Sequence, residues 1–344
     1  MSGKSTPPLA TLTREPPQAV LEALRQAKRP LLLTHIYPDG DGIGSQLGLA
    51  RAFQSRGAEP HIINAHEAPK KLAFLDPDES IQVIPGSLEP QHQMAIDSAD
   101  LILILDTSDP ERLGHLRDPV LAASAQRIAV DHHLSHSEDA FDMIWSEPDC
   151  PATGVMVQRI LEEFPVSLTA ELATPLLVAI GTDTGWFRFA NATPEAFASA
   201  ARLVAAGANA EELYTNIYET STPARTRMQG EVMAGLQSHE EGRILYGIIR
   251  GDQLRHHGVG YEEIDGIIDT LKAVQGGEIL FLVVELSKGR YKVSLRSKGD
   301  RDVYQIAAQF GGGGHAKAAG CRLEADEKTV IGRILDAARQ ALAC

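Results

Sequence analysis

The sequence predicts an α/β protein of two domains. Three apolar runs have the length and composition of buried strands, and each of them ends in acidic or histidine side chains. Segments with helical spacing separate these runs, and strands that alternate with helices form parallel sheets covered on both faces. The chain length of 344 residues also favours two domains over one.

The predicted N-terminal domain spans residues 17–220. Short apolar runs mark its strands, and apolar side chains at helical spacing mark its helices. The strands are expected at 31–34, 60–64, 101–106 and 127–131. The helices are expected at 17–28, 43–56, 153–164, 169–180, 194–206 and 211–218. Residues 1–16 are rich in Ser, Thr and Pro, so we expect a disordered tail there.

The predicted C-terminal domain is a smaller α/β domain at residues 243–344, which follows a linker at 221–242. Its strands are expected at 244–249, 279–286, 290–295 and 321–323. Its helices are expected at 261–274, at 303–310 and from Lys328 onward. The glycine run 311–314 is expected to be a loop that lets a ligand approach the backbone closely.

The bulk composition predicts a protein of the cytoplasm. The formal net charge of −14 would repel long nucleic acid. No apolar run approaches the roughly 20 residues that a membrane span needs. Cys150, Cys321 and Cys344 lack the spacing of a metal site, and so few cysteines suit a reducing compartment. We therefore expect neither long nucleic acid nor a membrane as a partner.

Six side chains with metal-ligand chemistry follow the predicted strands or end a predicted helix. They are His35, Asp39, Asp41, Asp106, His132 and Asp183. Residues just beyond the carboxyl ends of parallel strands gather in one crevice, where carboxylates and imidazoles suit manganese, magnesium, iron or zinc. The alternative interpretation is a set of helix caps and turn acids, which accounts for single residues better than for the whole set.

The glycines around Asp41 could also indicate a dinucleotide-binding loop. Gly40, Gly42 and Gly44 do not have the G-x-G-x-x-G spacing of that motif. Two acids in the loop would in addition oppose a pyrophosphate group. The metal interpretation is therefore preferred.

Four segments then carry a family resemblance, namely 35–41 (HIYPDGD), Asp106, 131–133 (DHH) and 181–185 (GTDTG). In this order they resemble the motifs of the DHH phosphoesterase superfamily. Arg296-Ser297 and the segment 311–320 (GGGGHAKAAG) resemble its associated C-terminal domain. The sequence of these motifs is most similar to the nano-RNase and 3′-phosphoadenosine-5′-phosphate phosphatase branch, which is close to cyclic di-AMP phosphodiesterases. Tyr37 departs from the Asn more usual in the family.

The resemblance implies roles for the metal residues. One ion would be held by His35, Asp39 and Asp106, and the other by Asp41, Asp106, His132 and Asp183, so that Asp106 bridges the two. Asp131 would orient the neighbouring imidazole. His133 would face the scissile phosphate as charge stabiliser or general acid, although a structural hydrogen bond is the alternative. We expect two Mn²⁺ ions, with Mg²⁺, Fe²⁺ or Co²⁺ as the other candidates.

The resemblance also implies a substrate site in the C-terminal domain. Its residues would be Arg296, Ser297, Gly313, Gly314 and His315, and basic residues crowd the hairpin that carries Arg296. Arginine suits bidentate phosphate binding. The active site is expected in the cleft between the domains, and a homodimer is one option for the assembly.

The expected function is hydrolysis of short oligoribonucleotides, including dinucleotides such as pApA, to mononucleotides, together with conversion of adenosine 3′,5′-bisphosphate to AMP. Cyclic di-AMP hydrolysis is the main alternative, because the same residues would serve it. An inorganic pyrophosphatase and a nucleotide-binding regulator without turnover are the weaker alternatives.

Overall fold

The structure, a computed structural model, describes residues 15–133, 139–264 and 266–343, without the side chain of His315. It divides into two compact units, of which unit 1 runs to Thr220 and unit 2 begins at Ser221. Each unit contains a six-stranded sheet. The predicted α/β class, with a parallel sheet in the first unit, is confirmed. Most of the predicted tail, residues 1–14, lies outside the described part.

Unit 1 is built on parallel strands with helices between them. The strands are β1 (Pro30–Leu33), β2 (His61–Asn64), β3 (Ile81–Val83), β4 (Leu101–Leu105), β5 (Gln126–Asp131) and β6 (Met143–Ser146). The helices are α1 (Gln18–Gln26), α2 (Gly40–Ser55), α3 (Pro90–Ser98), α4 (Arg117–Ala122), α5 (Thr153–Glu162), α6 (Ala170–Asp183), α7 (Pro194–Ala205) and α8 (Ala210–Tyr218).

The strand order of unit 1 is β3-β2-β1-β4-β5-β6. β2 and β3 are added on one side of β1, and the chain then crosses to the other side of β1 to add β4, β5 and β6. Strand residues alternate between two cores, because successive side chains point to opposite faces of a sheet. Leu32 and Leu103 belong to the core under α2, α5 and α6, whereas Leu31 and Ile102 belong to the core on the other face. In sheets of this kind, the crevice at the point where the chain changes sides is the usual ligand site.

Unit 2 has a mixed sheet in the order β11-β12-β10-β9-β8-β7. Its strands are β7 (Gln237–His239), β8 (Ile244–Ile249), β9 (Ile279–Ser287), β10 (Arg290–Ser297), β11 (Gly313–His315) and β12 (Ala318–Glu324). Its helices are α9 (Pro223–Ala234), α10 (Gly251–His257), α11 (Tyr304–Ala308) and α12 (Glu327–Ala343). α9 packs through Met228 and Val232 on one face, and α12 packs through Val330 and Ile334 on the other.

Two predicted elements of unit 2 are wrong in detail. The helix expected at 261–274 is a 3₁₀ helix at Ile267–Ala273 only, because Gly266 adopts a left-handed φ of 80° and breaks the helix there. The glycine run expected to be a loop contributes β11, which pairs with β12. Among the described helices, none has the length and apolar character of a membrane span.

Candidate functional site

The candidate site of unit 1 lies where β1, β4 and β5 end. His35 follows β1, Asp106 follows β4, and His132 follows β5, while α6 ends at Asp183. Asp106 has a left-handed φ of 66°, which is uncommon outside glycine and marks a constrained turn. Asp39 caps α2 by accepting hydrogen bonds from the N–H groups of residues 41 and 42.

These residues form groups that could hold metal ions. His35, Asp39 and Asp106 make one group, and Asp41, His132 and Asp183 make another, with ligand atoms within 4.8 Å of one another in each. The structure therefore brings together all six side chains that the sequence singled out.

Asp106 lies between the two imidazoles. Its Oδ2 is 3.3 Å from His35 Nε2, and its Oδ1 is 3.5 Å from His132 Nε2. Each of its oxygens thus faces a different group. This geometry fits a carboxylate shared by two ions.

The orientation of both imidazoles is set by backbone carbonyls. The Nδ1 of His35 lies 2.7 Å from the oxygen of Ile36, and that of His132 lies 3.1 Å from the oxygen of Cys150. A carbonyl oxygen only accepts hydrogen bonds, so Nδ1 carries the hydrogen and Nε2 presents a lone pair.

Both Nε2 atoms are buried and have no hydrogen-bond partner among the described residues. Buried polar atoms are nearly always paired. Two unpaired lone pairs directed at carboxylates are what ligands of a divalent cation would present, so the donor set fits the metal ions that the sequence predicted.

The electrostatics of the group also favour bound cations. Burial raises the pKa of Asp41 and of Asp106 well above the usual carboxyl range, and neighbouring carboxylates add to the shift. Burial likewise raises the pKa of Asp183. Burial and the charge of Arg112 lower the pKa of His35, which favours the neutral imidazole that a metal ligand must be.

Sequence reasoning missed the groups that hold the carboxylates in place. The backbone N–H groups of Thr153 and Gly154, at the start of α5, donate to Asp41 at 2.7 and 2.8 Å. The hydroxyl of Thr153 donates to Asp106 at 3.1 Å. Asn191 donates to Asp183 Oδ2 at 3.0 Å. The predicted start of a helix at 153 was a signal that N–H groups are available there, but the sequence does not show what they face.

His133 forms a third possible ligand group with Asp106 and His132, but its hydrogen bonds are to Asp131. Asp131 Oδ1 accepts hydrogen bonds from the His133 Nδ1 at 2.8 Å and from its backbone N–H at 3.0 Å. Asp131 Oδ2 accepts from the hydroxyl of Ser108. The imidazole that Asp131 orients is therefore that of His133, whose side chain is 48% exposed.

The hydrogen bond between Asp131 and His133 shifts the pKa of both residues. Burial alone would raise the pKa of Asp131, but the hydrogen bonds from His133 lower it to about 2. The bond to Asp131 raises the pKa of His133 against the opposing effect of burial. His133 thus keeps its proton to a higher pH than a free histidine.

Unit 2 contains a cleft of about 440 Å³. Lys292, Ser294 and Arg296 line it from alternate positions of β10, and Gly313 and Gly314 line it from β11. The apolar part of its wall comes from Ile264, Ile268, Leu282 and Val284. A cleft with an apolar wall and a few cationic groups suits a nucleoside phosphate.

The five predicted substrate residues are placed differently within unit 2. Arg296 donates to Asp269 Oδ1 at 3.1 Å, which anchors its guanidinium at the cleft. The Ser297 hydroxyl is buried and lies within hydrogen-bond distance of the backbone oxygens of Arg301 and Ala316. Gly313 and Gly314 line the cleft. Gly314 has a φ of 133°, and a Cβ there would also lie 2.5 Å from the backbone oxygen of Ala318, so both features favour glycine. The side chain of His315 lies outside the described part of the structure.

A parallel sheet whose central strands end in buried carboxylates and imidazoles is compatible with the class of metal-dependent hydrolases. Residues 31–180 match the model of the DHH family, N-terminal domain, and residues 241–343 match the DHHA1 domain. The chain belongs to the DHH family of metal-dependent phosphoesterases. The resemblance expected from the sequence is confirmed.

Several known proteins are similar to this chain. A Thermus thermophilus protein named "Bifunctional oligoribonuclease and PAP phosphatase NrnA" is 33% identical over 94% of this chain and 93% of its own length. The "Cyclic-di-AMP phosphodiesterase GdpP" of Geobacillus thermodenitrificans is 25% identical over 93% of this chain but only 49% of its own length. The crystal structure of an exopolyphosphatase-related protein from Bacteroides fragilis has a TM-score of 0.86 and 23% identity, covering 96% of this chain and 98% of that one, and it supports the fold alone.

Proposed function

We propose that this chain hydrolyses short oligoribonucleotides, such as the dinucleotide pApA, to mononucleotides, and converts adenosine 3′,5′-bisphosphate to AMP. The observation that carries the proposal is the pair of unpaired, buried imidazole nitrogens that face the two oxygens of Asp106. The oligoribonuclease relative, which matches over nearly its whole length, supports this choice of substrate.

The metal ligands in this proposal are those of the two groups. His35, Asp39 and Asp106 would hold one divalent ion, and Asp41, Asp106, His132 and Asp183 would hold the other. Two such ions, Mn²⁺ by preference, with Mg²⁺, Fe²⁺ or Co²⁺ as alternatives, would neutralise phosphate charge and activate water. Thr153 and Asn191 keep the carboxylates in position through their hydrogen bonds.

Asp131 and His133 would carry out the proton transfer in this proposal. Asp131 holds the Nδ1 hydrogen of His133, so the second nitrogen of that ring is left to face the substrate. The hydrogen bond to Asp131 raises the pKa of His133, so the ring keeps its second proton to a higher pH than a free histidine does. We assign to it donation of this proton to the leaving oxygen, or stabilisation of charge on the phosphate.

In unit 2, the cleft would bind the nucleotide. Arg296 would contact a phosphate, and the apolar wall would contact a nucleoside. Gly313 and Gly314 would let the ligand approach the backbone, and Ser297 would hold the adjoining loops.

We further propose that residues 17–220 form the catalytic domain and that 221–242 link it to a substrate-binding domain at 243–344. We also propose that the protein acts in the cytoplasm on nucleotides and short RNA. A homodimer is one option for its assembly.

A substrate panel tests the proposal. With Mn²⁺ present, we expect the highest kcat/KM on pApA, measurable turnover of adenosine 3′,5′-bisphosphate, and little release of phosphate from pyrophosphate. Asp106→Ala should lose nearly all turnover, whereas Asp118→Ala, at an acid whose side chain is 86% exposed, should not. Turnover by Asp106→Ala in metal-depleted buffer would contradict the proposal.

Cyclic di-AMP hydrolysis is the second candidate, and the similarity to GdpP is the observation that favours it. The same residues of unit 1 would serve a cyclic substrate. The relative kcat/KM values on cyclic di-AMP and on pApA decide between the two candidate functions. A kcat/KM on cyclic di-AMP that exceeds the value on pApA would replace the first assignment.

A further inference from the structure

Tyr37 is an exposed aromatic residue inside the segment that supplies the metal ligands. It lies between His35 and Asp39, and 76% of its surface is accessible. Such exposure of a large ring gains nothing from core packing. Its phenol is not part of the possible metal-ligand groups, so the ring is free of both the core and the ligand set.

The backbone at Tyr37 is held in an unfavourable conformation. Its φ is 54°, in the left-handed region that bulky residues rarely adopt. A following proline, here Pro38, restricts the preceding residue further. Strain of this kind is found most often at functional sites, where surrounding contacts maintain it.

His66 supplies those contacts. The backbone N–H of Tyr37 donates to His66 Nδ1 at 3.2 Å. The two rings lie 4.3 Å apart between centroids, with their planes inclined by 53°. His66 follows β2, which is the neighbour of β1 in the sheet, so the pair stands at the same edge as the metal groups.

We propose that Tyr37, supported by His66, is a stacking surface for the nucleobase next to the phosphate at the metal groups. This inference rests on the proposed function and adds a determinant of substrate specificity to it. An exposed ring offers its face to any base, because every base has a π-face. Because His66 Nδ1 accepts a hydrogen bond, the neutral ring carries its hydrogen on Nε2, which can donate to a base or a sugar.

The test compares dinucleotides with and without bases. Tyr37→Asn removes the ring but tolerates the left-handed backbone, and Tyr37→Phe keeps the ring. For the wild type we expect the KM of a dinucleotide with one abasic position to exceed that of pApA by roughly ten-fold, as loss of one stacked base implies. This ratio should fall towards one in Tyr37→Asn and stay near the wild-type value in Tyr37→Phe.

A binding measurement supplies the second readout. A non-hydrolysable dinucleotide that contains 2-aminopurine should lose fluorescence on binding to the wild type and to Tyr37→Phe, and much less on binding to Tyr37→Asn. Equal quenching by all three proteins, or an unchanged KM ratio in Tyr37→Asn, would overturn the inference. Failure of the wild type to cleave pApA would instead reject the proposed function, and the fluorescence comparison would still decide about Tyr37.

Discussion

At the scale of single residues, Asp131 matters through the imidazole that it holds. Both hydrogen bonds to its Oδ1 come from His133, and they fix the direction of the ring. The pair resembles the carboxylate–imidazole pairs that set the tautomer and basicity of catalytic histidines. His133 therefore depends on Asp131, which belongs to none of the possible metal-ligand groups found among the described residues.

Asp131→Asn tests this dependence. The Asn oxygen can still accept from the backbone of His133, but the side-chain hydrogen bond that raises the pKa of its imidazole is weakened and the carboxylate charge is lost. We expect kcat on pApA to fall by roughly 10–100-fold with little change in KM. Because His133 would act in its protonated form, the decline of activity with rising pH should begin at a lower pH in the variant. Identical pH–rate profiles would argue against this role.

In the metal-free protein, a buried ionised Asp106 lowers the free energy of unfolding, whereas a neutral residue at this position would not. Burial raises its pKa, so its ionised form is disfavoured in the folded, metal-free chain. Asn has no charge, tolerates the φ of 66°, and could donate to an unpaired imidazole nitrogen nearby. We expect metal-free Asp106→Asn to melt above the metal-free wild type, by roughly 2–4 °C per kcal/mol regained.

Calorimetric melting and metal titration check this prediction. The variant should also bind Mn²⁺ much more weakly, so that added metal raises the melting temperature of the wild type only. A lower melting temperature of the metal-free variant would show that Asp106 contributes to folding by another route.

At the scale of elements, α2 packs on α6 through three glycines. A Cβ at Gly40 would overlap the side chain of Thr182, one at Gly44 would overlap the carbonyl oxygen of Pro175, and one at Gly48 would lie 2.7 Å from Leu176. We name Gly40, Gly44 and Gly48 the glycine stripe. They recur every fourth residue and so share one side of the helix. Gly40 and Gly44, two of the three glycines around Asp41, therefore serve helix packing, which the sequence did not reveal.

Gly44→Ala should destabilise unit 1. The added methyl group meets backbone of α6, which cannot move aside as a flexible side chain would. Overpacking of this kind costs about 1–3 kcal/mol. Gly332→Ala in α12, where nothing lies within 4 Å of the added carbon, is the matched control and should be neutral or stabilising. Denaturant titration of both variants would show equal stability if the stripe were loosely packed.

The sequence predicted the strands that end in metal ligands because fully buried parallel strands are continuous apolar runs. It did not predict β3 or β6, which are short and only partly buried. Periodicity also placed a helix across Gly266, whose left-handed conformation depends on tertiary context. At the site, side chains could be inferred from strand ends, but the N–H groups of Thr153 and Gly154 could not, because every residue has such a group.

At the scale of the whole molecule, metal binding should be coupled to pH. Asp41 and Asp106 have a raised pKa in the folded state compared with the ordinary value of 3.8, so the folded metal-free chain binds their protons more tightly than the unfolded chain does. Their effect is to reduce the stability of the metal-free protein as pH rises above 3.8 and through the raised values. Bound cations remove this penalty and displace the protons.

Thermal melts with and without Mn²⁺ check the coupling. The rise in melting temperature on adding Mn²⁺ should be larger at pH 8 than at pH 6, and metal binding at pH 6 should release protons into the buffer. Chelation should reverse the rise. A rise that is the same at both pH values would mean that the carboxylates are already ionised without metal.

The glycine stripe has one further consequence. α2 carries Asp41 in its first turn and α6 carries Asp183 at its end, so the separation of these helix axes influences how far apart the two carboxylates of this metal group stand. Mg²⁺ requires shorter bonds to oxygen than Ca²⁺ does, and it is less tolerant of irregular geometry. If this group binds a cation, the contact between α2 and α6 would therefore help to set the ionic radius that the group accepts, and a wider contact would favour larger ions.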